Sequence, residues 1–326
     1  MHDYQKTRQE YMTNSLRLGS NKFHLHNERL AGRHLMILLA VIPVLLFNGL
    51  WSFFPILYSL IMSFFEWNPL AVQTKFLGLA NYIYAFSQDT LFWLSLRNTL
   101  YYMIITVPMG IFLSLLVALL INSLPRLVGF YRTIYFIPVV TSMVAVAIVW
   151  RWLYQTQFGL FNQILQMVLN DFLHLNVNTS IQWLTSTSLA MPSVMVLSIW
   201  KGLGFTMVLF LAGLTSIPSI YYEAAKVDGA GRWQLFWNIT IPLIQPTMIF
   251  VTITGVIDAL QTFTPMYIMT GGGPVNATKT IVFILFDQAF KVFHFGYASA
   301  LAFILFFVIM VLTLIQWRFM RVRWEY

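Results

Sequence analysis

The chain has 326 residues, of which 59% are hydrophobic and only 9% are charged. This composition leaves too little polar surface for a soluble globule of the same length, so it predicts a membrane protein. The formal net charge of +8 raises the question of nucleic acid, but the distribution of the basic residues favours a membrane topology signal instead. The absence of cysteine excludes disulfides and thiolate metal sites.

The first 34 residues are polar and basic, and they predict a solvated tail on the cytoplasmic side. We expect no signal peptide, because the first apolar run begins at Leu35 and is far too long for a signal sequence. A second short tail, 321–326, is predicted at the other end. The residues between, 35–320, are interpreted as one membrane domain.

Six apolar segments follow the first tail, and each is long enough to cross a bilayer core, which needs about twenty helical residues. The predicted spans lie near Leu35–Phe65, Arg97–Ile121, Thr133–Arg151, Leu189–Leu214, Leu243–Met269 and Phe295–Trp317. Prolines inside the first two spans, Pro43, Pro55 and Pro108, are expected to kink them rather than end them. The fold class is therefore predicted as all-α, a polytopic membrane protein with six transmembrane helices.

The orientation of these spans follows from the positions of lysine and arginine, which favour the cytoplasmic side. With the first tail inside, thirteen of the nineteen fall in predicted cytoplasmic segments and three in outer loops. The outer ones are Lys75, Lys279 and Lys291, and the remaining Arg97, Arg151 and Lys201 lie within spans or at their ends. This asymmetry predicts cytoplasmic N- and C-termini and a cytoplasmic loop at 216–242.

That loop is the most informative stretch of the sequence. Ser219 to Val227 predicts a helix of about two turns, with Pro218 in its first turn and Ser216 or Ser219 as its cap. Gly229 is expected to supply the left-handed residue that ends the helix.

The spacing of Glu223, Ala224, Ala225, Gly229, Ile239 and Pro242 resembles the EAA loop of permease subunits in binding-protein-dependent ABC importers. Ile241 stands where that family usually has leucine, and Asp228-Gly229-Ala230 looks like the carbohydrate branch of the family. An ordinary interfacial loop stabilised by its own caps is the alternative interpretation.

The resemblance implies the type I ABC importer permease fold and a coupling helix that docks on a separate ATPase. Glu223 would then make the polar contact, Ala224 and Ala225 would keep the helix thin, and Gly229 would permit its turn. Asp228 is also assigned to the ATPase-coupling site. It further implies a second homologous permease, two ATPase subunits, an extracytoplasmic solute-binding protein, a sugar substrate and the bacterial inner membrane. We expect no nucleic acid as a partner.

The sequence also lacks the phosphate-binding motif Gly-x-x-x-x-Gly-Lys-Ser/Thr. We therefore expect a transport subunit rather than an enzyme, with no cofactor of its own and with ATP and magnesium bound by the partner ATPase.

A glycine-rich turn, Thr270-Gly271-Gly272-Gly273-Pro274, is predicted after the fifth span. It is similar to a turn in the first permease of maltose and glycerol phosphate type importers, which favours a heterodimer over a homodimer. The outer loop at 152–188 is either a connector or part of the platform for the binding protein, and a short helix is expected at Leu160–Leu169.

Ionisable residues inside spans are costly and suggest function. We expect Asp258, Gln261 and Thr262 to line a cavity for a hydroxylated substrate, with Lys201 close by. Phe263, Tyr267 and Trp200 are the expected aromatic walls. The alternative is a structural role for Lys201 and Asp258, paired with each other or with backbone carbonyls.

Two other classes of function are alternatives to an ABC importer permease. An ion-coupled secondary transporter is disfavoured because no matched interrupted helices are visible in the two halves, and a membrane-embedded glycosyl transferase lacks a carboxylate pair or metal motif. The substrate is expected to be a carbohydrate, an oligosaccharide above all. Lys201 and Arg97 mildly favour an acidic one such as an alginate fragment.

Overall fold

The computed structural model describes residues 36, 39–70, 74–124, 126–175 and 177–320. The two predicted tails, 1–34 and 321–326, lie outside the described residues. The chain divides into two compact units, 1–61 and 62–326.

The regular structure of the described residues is almost entirely helical. One short antiparallel hairpin, β1 Phe65–Glu66 with β2 Lys75–Phe76, follows the first span. The helices are α1 Leu39–Met62, α2 Ala80–Ser87, α3 Thr90–Asn122, α4 Val128–Val140, α5 Met143–Leu153, α6 Leu160–Leu165, α7 Ala190–Thr215, α8 Ser219–Val227, α9 Arg232–Leu243, α10 Gln245–Leu260, α11 Thr264–Met269, α12 Ile281–Phe286 and α13 Phe295–Phe319.

Four of these helices, α1, α3, α7 and α13, are long and apolar enough to cross a membrane. Two bent pairs, α4 with α5 and α9 with α10, bring the number to six when each pair counts as one span. The all-α class is therefore confirmed, and the six apolar segments correspond to four continuous and two bent spans.

The third span is the first correction, because a single helix was expected from Thr133 to Arg151. The chain instead bends by 94° between α4 and α5. Pro138 lacks an amide hydrogen, and Thr141 and Ser142 adopt extended backbone angles, so the helical hydrogen bonding stops there.

The fifth span is the second correction. The expected helix from Leu243 to Met269 begins at Gln245 and ends at Leu260, and a 62° bend separates it from α9. Phe263 has a non-helical φ of −139°, and Pro265 in the first turn of α11 starts a new helix. Interrupted spans are thus present at two places. The argument against a secondary transporter concerned matched interruptions in the two halves, and it stays a prediction.

The buried core of the second unit consists of three apolar clusters, and α3 and α10 contribute to all of them. Tyr102 and Ala259 belong to the first cluster, Phe92 and Leu260 to the second, and Ala118 and Val251 to the third. These two helices therefore form a frame that runs through all three apolar clusters of the unit.

The loop at 152–188 contains the expected short helix, since α6 continues into a π-helical turn at Gln166–Phe172. Asn162 holds this loop together. Its amide donates to the carbonyls of Thr156 and Ile181, and its oxygen accepts from the indole of Trp183 at 2.8 Å. Nothing in the local sequence around Asn162 predicts this role.

Candidate functional site

The short helix α8 has the predicted bounds, Ser219–Val227. Gly229 has a φ of +82°, as expected for the left-handed residue after the helix, and the amide of Ala230 donates to the carbonyl of Ala225 at 2.9 Å. The expected serine cap was wrong. Pro218 occupies the cap position without a side-chain bond, and the hydroxyl of Ser216 donates to the carbonyl of Gly213 instead.

Helix α8 presents an exposed face of mixed character. Glu223, Ala224 and Asp228 are exposed, and the Glu223 carboxylate has no hydrogen bond or ion pair within the part of the chain that the structure describes. Two apolar side chains that sequence reasoning missed share this helix: Val227 is 88% exposed and Ile220 is 65% exposed. A short helix with an unpaired acid and exposed apolar side chains has the chemistry of a docking element.

One side-chain contact joins α8 to the helix that follows it. The hydroxyls of Tyr222 and Thr240 lie 3.1 Å apart, and the Thr240 hydroxyl also donates to the carbonyl of Leu235. Because Thr240 lies in α9, this contact links α8 to the bent pair α9 and α10.

A cavity of about 400 Å³ lies among α3, α4, α5, α7 and the end of α10. It brings together five of the seven residues predicted for the substrate pathway, namely Asp258, Gln261, Thr262, Phe263 and Lys201. Tyr102 and Ser198 also line it, and sequence reasoning missed both. They lie mid-span in an apolar context, so only the packing of α3 and α7 against α10 identifies them.

A smaller cavity of about 130 Å³ adjoins the same residues. Tyr102, Ser198 and Asp258 border both cavities, and Thr106, Gly110 and Ser114 of α3 add small and hydroxyl-bearing groups to the smaller one. The arrangement offers hydrogen-bonding groups on three helices, which suits a ligand with several hydroxyls.

The remaining two predicted residues, Trp200 and Tyr267, do not line the 400 Å³ cavity. Trp200 packs against Trp150 with ring centroids 5.4 Å apart. Tyr267 packs against Phe263 at 5.0 Å and borders a separate cavity at the end of α5.

Lys201 makes its polar contacts with backbone carbonyls at the break in the third span. Its ammonium donates to the carbonyls of Pro138 at 2.9 Å, Thr141 at 2.8 Å and Val139 at 3.4 Å. These are carbonyls that the end of α4 leaves without helical partners, and a cation at a helix C-terminus is electrostatically favourable. The contacts are those of the structural alternative, although Lys201 also lines the cavity.

We expect Lys201→Met to destabilise the protein by about 1 kcal/mol, because it removes the charged donor from three carbonyls at the break, two partly buried and one exposed. Thermal unfolding of the purified complex measures the effect. Lys75→Met removes an exposed lysine in β2 and serves as the control. Equal melting temperatures for the two variants would show that Lys201 does not hold the break.

The glycine-rich turn after α11 is present. The hydroxyls of Thr270 and Thr278 lie 2.6 Å apart across it, and Thr278 also donates to the carbonyl of Gly273. Asn98 of α3 donates to the carbonyls of Asn276 and Lys279, so the turn is fixed to the frame.

Comparison with known proteins places these features in a family. Residues 99–321 match the family described as the inner membrane component of binding-protein-dependent transport systems. The probable ABC transporter permease protein YesP of Bacillus subtilis is 36% identical over 263 residues, which cover 80% of this chain and 82% of YesP. The sulfoquinovosyl glycerol transport system permease protein SmoG of Agrobacterium fabrum is 32% identical, covering 90% of this chain and 92% of SmoG.

The fold is also that of a solved membrane transporter. A chain of the bacterial alginate ABC transporter, solved in complex with an alginate pentasaccharide-bound periplasmic protein, superposes with a TM-score of 0.77. The two chains are 22% identical, and the match covers 89% of this chain and 95% of the other.

The family match and these relatives show that the chain is a permease, the membrane subunit of an ABC importer, and a transport subunit rather than an enzyme. This chain belongs to the family of binding-protein-dependent transport system inner membrane components.

Proposed function

We propose that this permease imports a carbohydrate delivered by an extracytoplasmic solute-binding protein. Import is driven by ATPase subunits, one of which binds α8. The observation that carries the proposal is the exposed, unpaired Glu223 on a short helix that is bonded through Tyr222 to the next span. The sugar-related names of SmoG and the alginate transporter support a carbohydrate substrate.

The proposed orientation of the chain in the membrane rests on the distribution of its lysine and arginine residues. The concentration of lysine and arginine on one side supports cytoplasmic termini and a cytoplasmic α8. Two ATPase subunits would lie beneath a pair of permeases, this chain and a homologous second one, and one ATPase would receive α8. The outer loop around α6 would then face the binding protein.

In the proposed transport cycle, contacts within this chain transmit a conformational change from α8 to α10. Closure of the ATPases displaces α8, and the Tyr222–Thr240 contact carries the displacement into α9. The bend between α9 and α10 converts it into a change of angle of α10, which carries Asp258 at its last turn. The cavity lined by Asp258 and Gln261 is thereby opened to one side and then to the other.

The sugar's hydroxyl groups would bind in the cavity of about 400 Å³. Asp258 accepts hydrogen bonds, Gln261 and Thr262 donate and accept them, and the ring of Phe263 offers an apolar face. Partner ATPases supply the chemistry of ATP and magnesium, and this chain holds neither.

We expect Asp258→Asn and Gln261→Ala each to reduce uptake about tenfold, because each removes a hydrogen bond or charge from the site that binds the sugar. The measurement is sugar uptake by reconstituted transporter at matched expression. Thr254→Ala is the control, since Thr254 lies one turn earlier in α10 and lines neither cavity. If both variants transport like the wild type, the cavity is not the pathway.

A further inference from the structure

A separate cavity of about 360 Å³ lies at the end of the third and fifth spans, beside α11. Arg151, Gln155, Thr185 and Tyr267 are among its lining residues, so it combines a cation, hydrogen-bonding groups and an aromatic ring. Thr264 and Pro265, at the start of α11, line the cavity that contains Asp258, and Tyr267 lines this one. The two cavities thus border the same short helix.

Arg151 supplies the positive charge of this cavity, and most of the N–H donors of its guanidinium have no partner among the described residues. Its guanidinium reaches only the carbonyl of Ile268, at 3.5 Å, and no carboxylate of the described residues lies within ion-pair distance. A guanidinium has five donors in a fixed fork that matches an acid group in a bidentate manner. Lys201 differs in this respect, because its ammonium is already bonded to three carbonyls.

Further positive charge lies near the same aromatic wall. The ammonium of Lys291 is 5.5 Å from the ring centre of Tyr267. Lys291 and Lys279 share a single carboxylate, that of Asp287, at 2.7 and 3.2 Å. Lys279, Lys291 and Asp287 do not line this cavity, but their one net positive charge lies beside its Tyr267 wall. It adds to the charge of Arg151, which favours an anionic ligand.

We propose that this cavity binds the acidic group of an anionic sugar, with Arg151 pairing with the carboxylate, sulfonate or phosphate and Tyr267 providing an aromatic face for the ring. The inference rests on the proposed carbohydrate transport and narrows its substrate class. The carboxylate of Asp258 suits hydroxyl groups rather than a second acid, so the acid group is recognised at Arg151. Arg97, which the sequence also suggested for this purpose, lines neither this cavity nor the one containing Asp258.

The test is saturation-transfer NMR on the purified complex of permeases and ATPases, which detects weak binding. The probes are glucuronate, glucose 6-sulfate, glucose 6-phosphate and, as the neutral counterpart, glucose. We expect at least one acidic probe to bind more tightly than glucose, and Arg151→Gln to weaken that binding by about tenfold or more. Arg151→Lys should retain part of it, because a lysine keeps the charge but not the fork.

Lys75→Gln removes a lysine from the β-hairpin, which contributes no residue to this cavity, and should leave the binding unchanged. The acidic probe that responds to Arg151→Gln identifies the acid group. If glucose binds as tightly as every acidic probe, or if Arg151→Gln leaves acidic binding unaltered, the proposal is overturned. Transport of a neutral sugar that still requires Glu223 would then leave the proposed function standing, which separates the two failures.

Discussion

Reversing the charge of Glu223 is expected to abolish uptake. The carboxylate is exposed on α8 and has no partner among the described residues. It can therefore form an ion pair or hydrogen bonds with a docking subunit. Glu223→Arg would place a cation in the ATPase site that binds the Glu223 carboxylate. The loss of a charge pair buried in an interface weakens association on the order of 30-fold or more. The measurement is the amount of ATPase that co-purifies with the permease, together with reconstituted uptake.

The membrane fold should survive this substitution, because Glu223 makes no contact that holds α8 in place. Tyr222 and Gly229 provide that support through the Thr240 contact and the left-handed turn. Asp171→Arg is the matched control: it reverses an exposed acid in the outer loop and should leave ATPase association intact. A Glu223→Arg permease that still holds its ATPase and transports at the wild-type rate would contradict the coupling role.

The second large effect is expected at Gly204, where the backbone of α7 lies directly against that of α4. A Cβ atom at this position would overlap the backbone carbonyl of Tyr135 and meet the side chain of Val139. The Tyr135 carbonyl is part of the backbone of α4 and cannot rotate away as a side chain can. Even alanine at position 204 therefore forces the two helices apart. We expect Gly204→Ala to destabilise the protein by about 3 kcal/mol.

Gly202→Ala is a matched control in the same helix, since a Cβ at Gly202 has nothing within 4 Å. Apparent melting temperatures of the two purified variants provide the comparison, and Gly204→Ala should melt roughly 5–10 °C lower. Similar melting temperatures would mean that α4 can move away from α7 at little cost. They would also contradict the conclusion that Lys201 of α7 holds the break in the third span.

Helix α8 shows how far local sequence information reaches. Its bounds and the φ of Gly229 followed from residues next to one another in the chain, because the end of a helix depends on its own last turn. Its cap was predicted wrongly for the same local reason. Ser216 had a competing carbonyl, that of Gly213, in the preceding helix.

The cavity shows where local information stops. Asp258, Gln261 and Thr262 were recognisable as polar residues in an apolar span, and they line one cavity. Tyr102 and Ser198 were not recognisable, because their position beside Asp258 depends on how α3 and α7 pack against α10. Trp200 was assigned to the wrong surroundings, since its ring lies against Trp150 of α5.

The sequence by itself determined the membrane class, the apolar segments that form the spans and the helix carrying Glu223, because hydropathy and helix termination act within short segments. Only the tertiary structure decided what the cations do. Lys201 is bonded to carbonyls about 60 positions away in the chain, while Arg151 faces a cavity with its charge unpaired among the described residues. A charge acts through its neighbours in space, and packing brings those neighbours from distant parts of the chain.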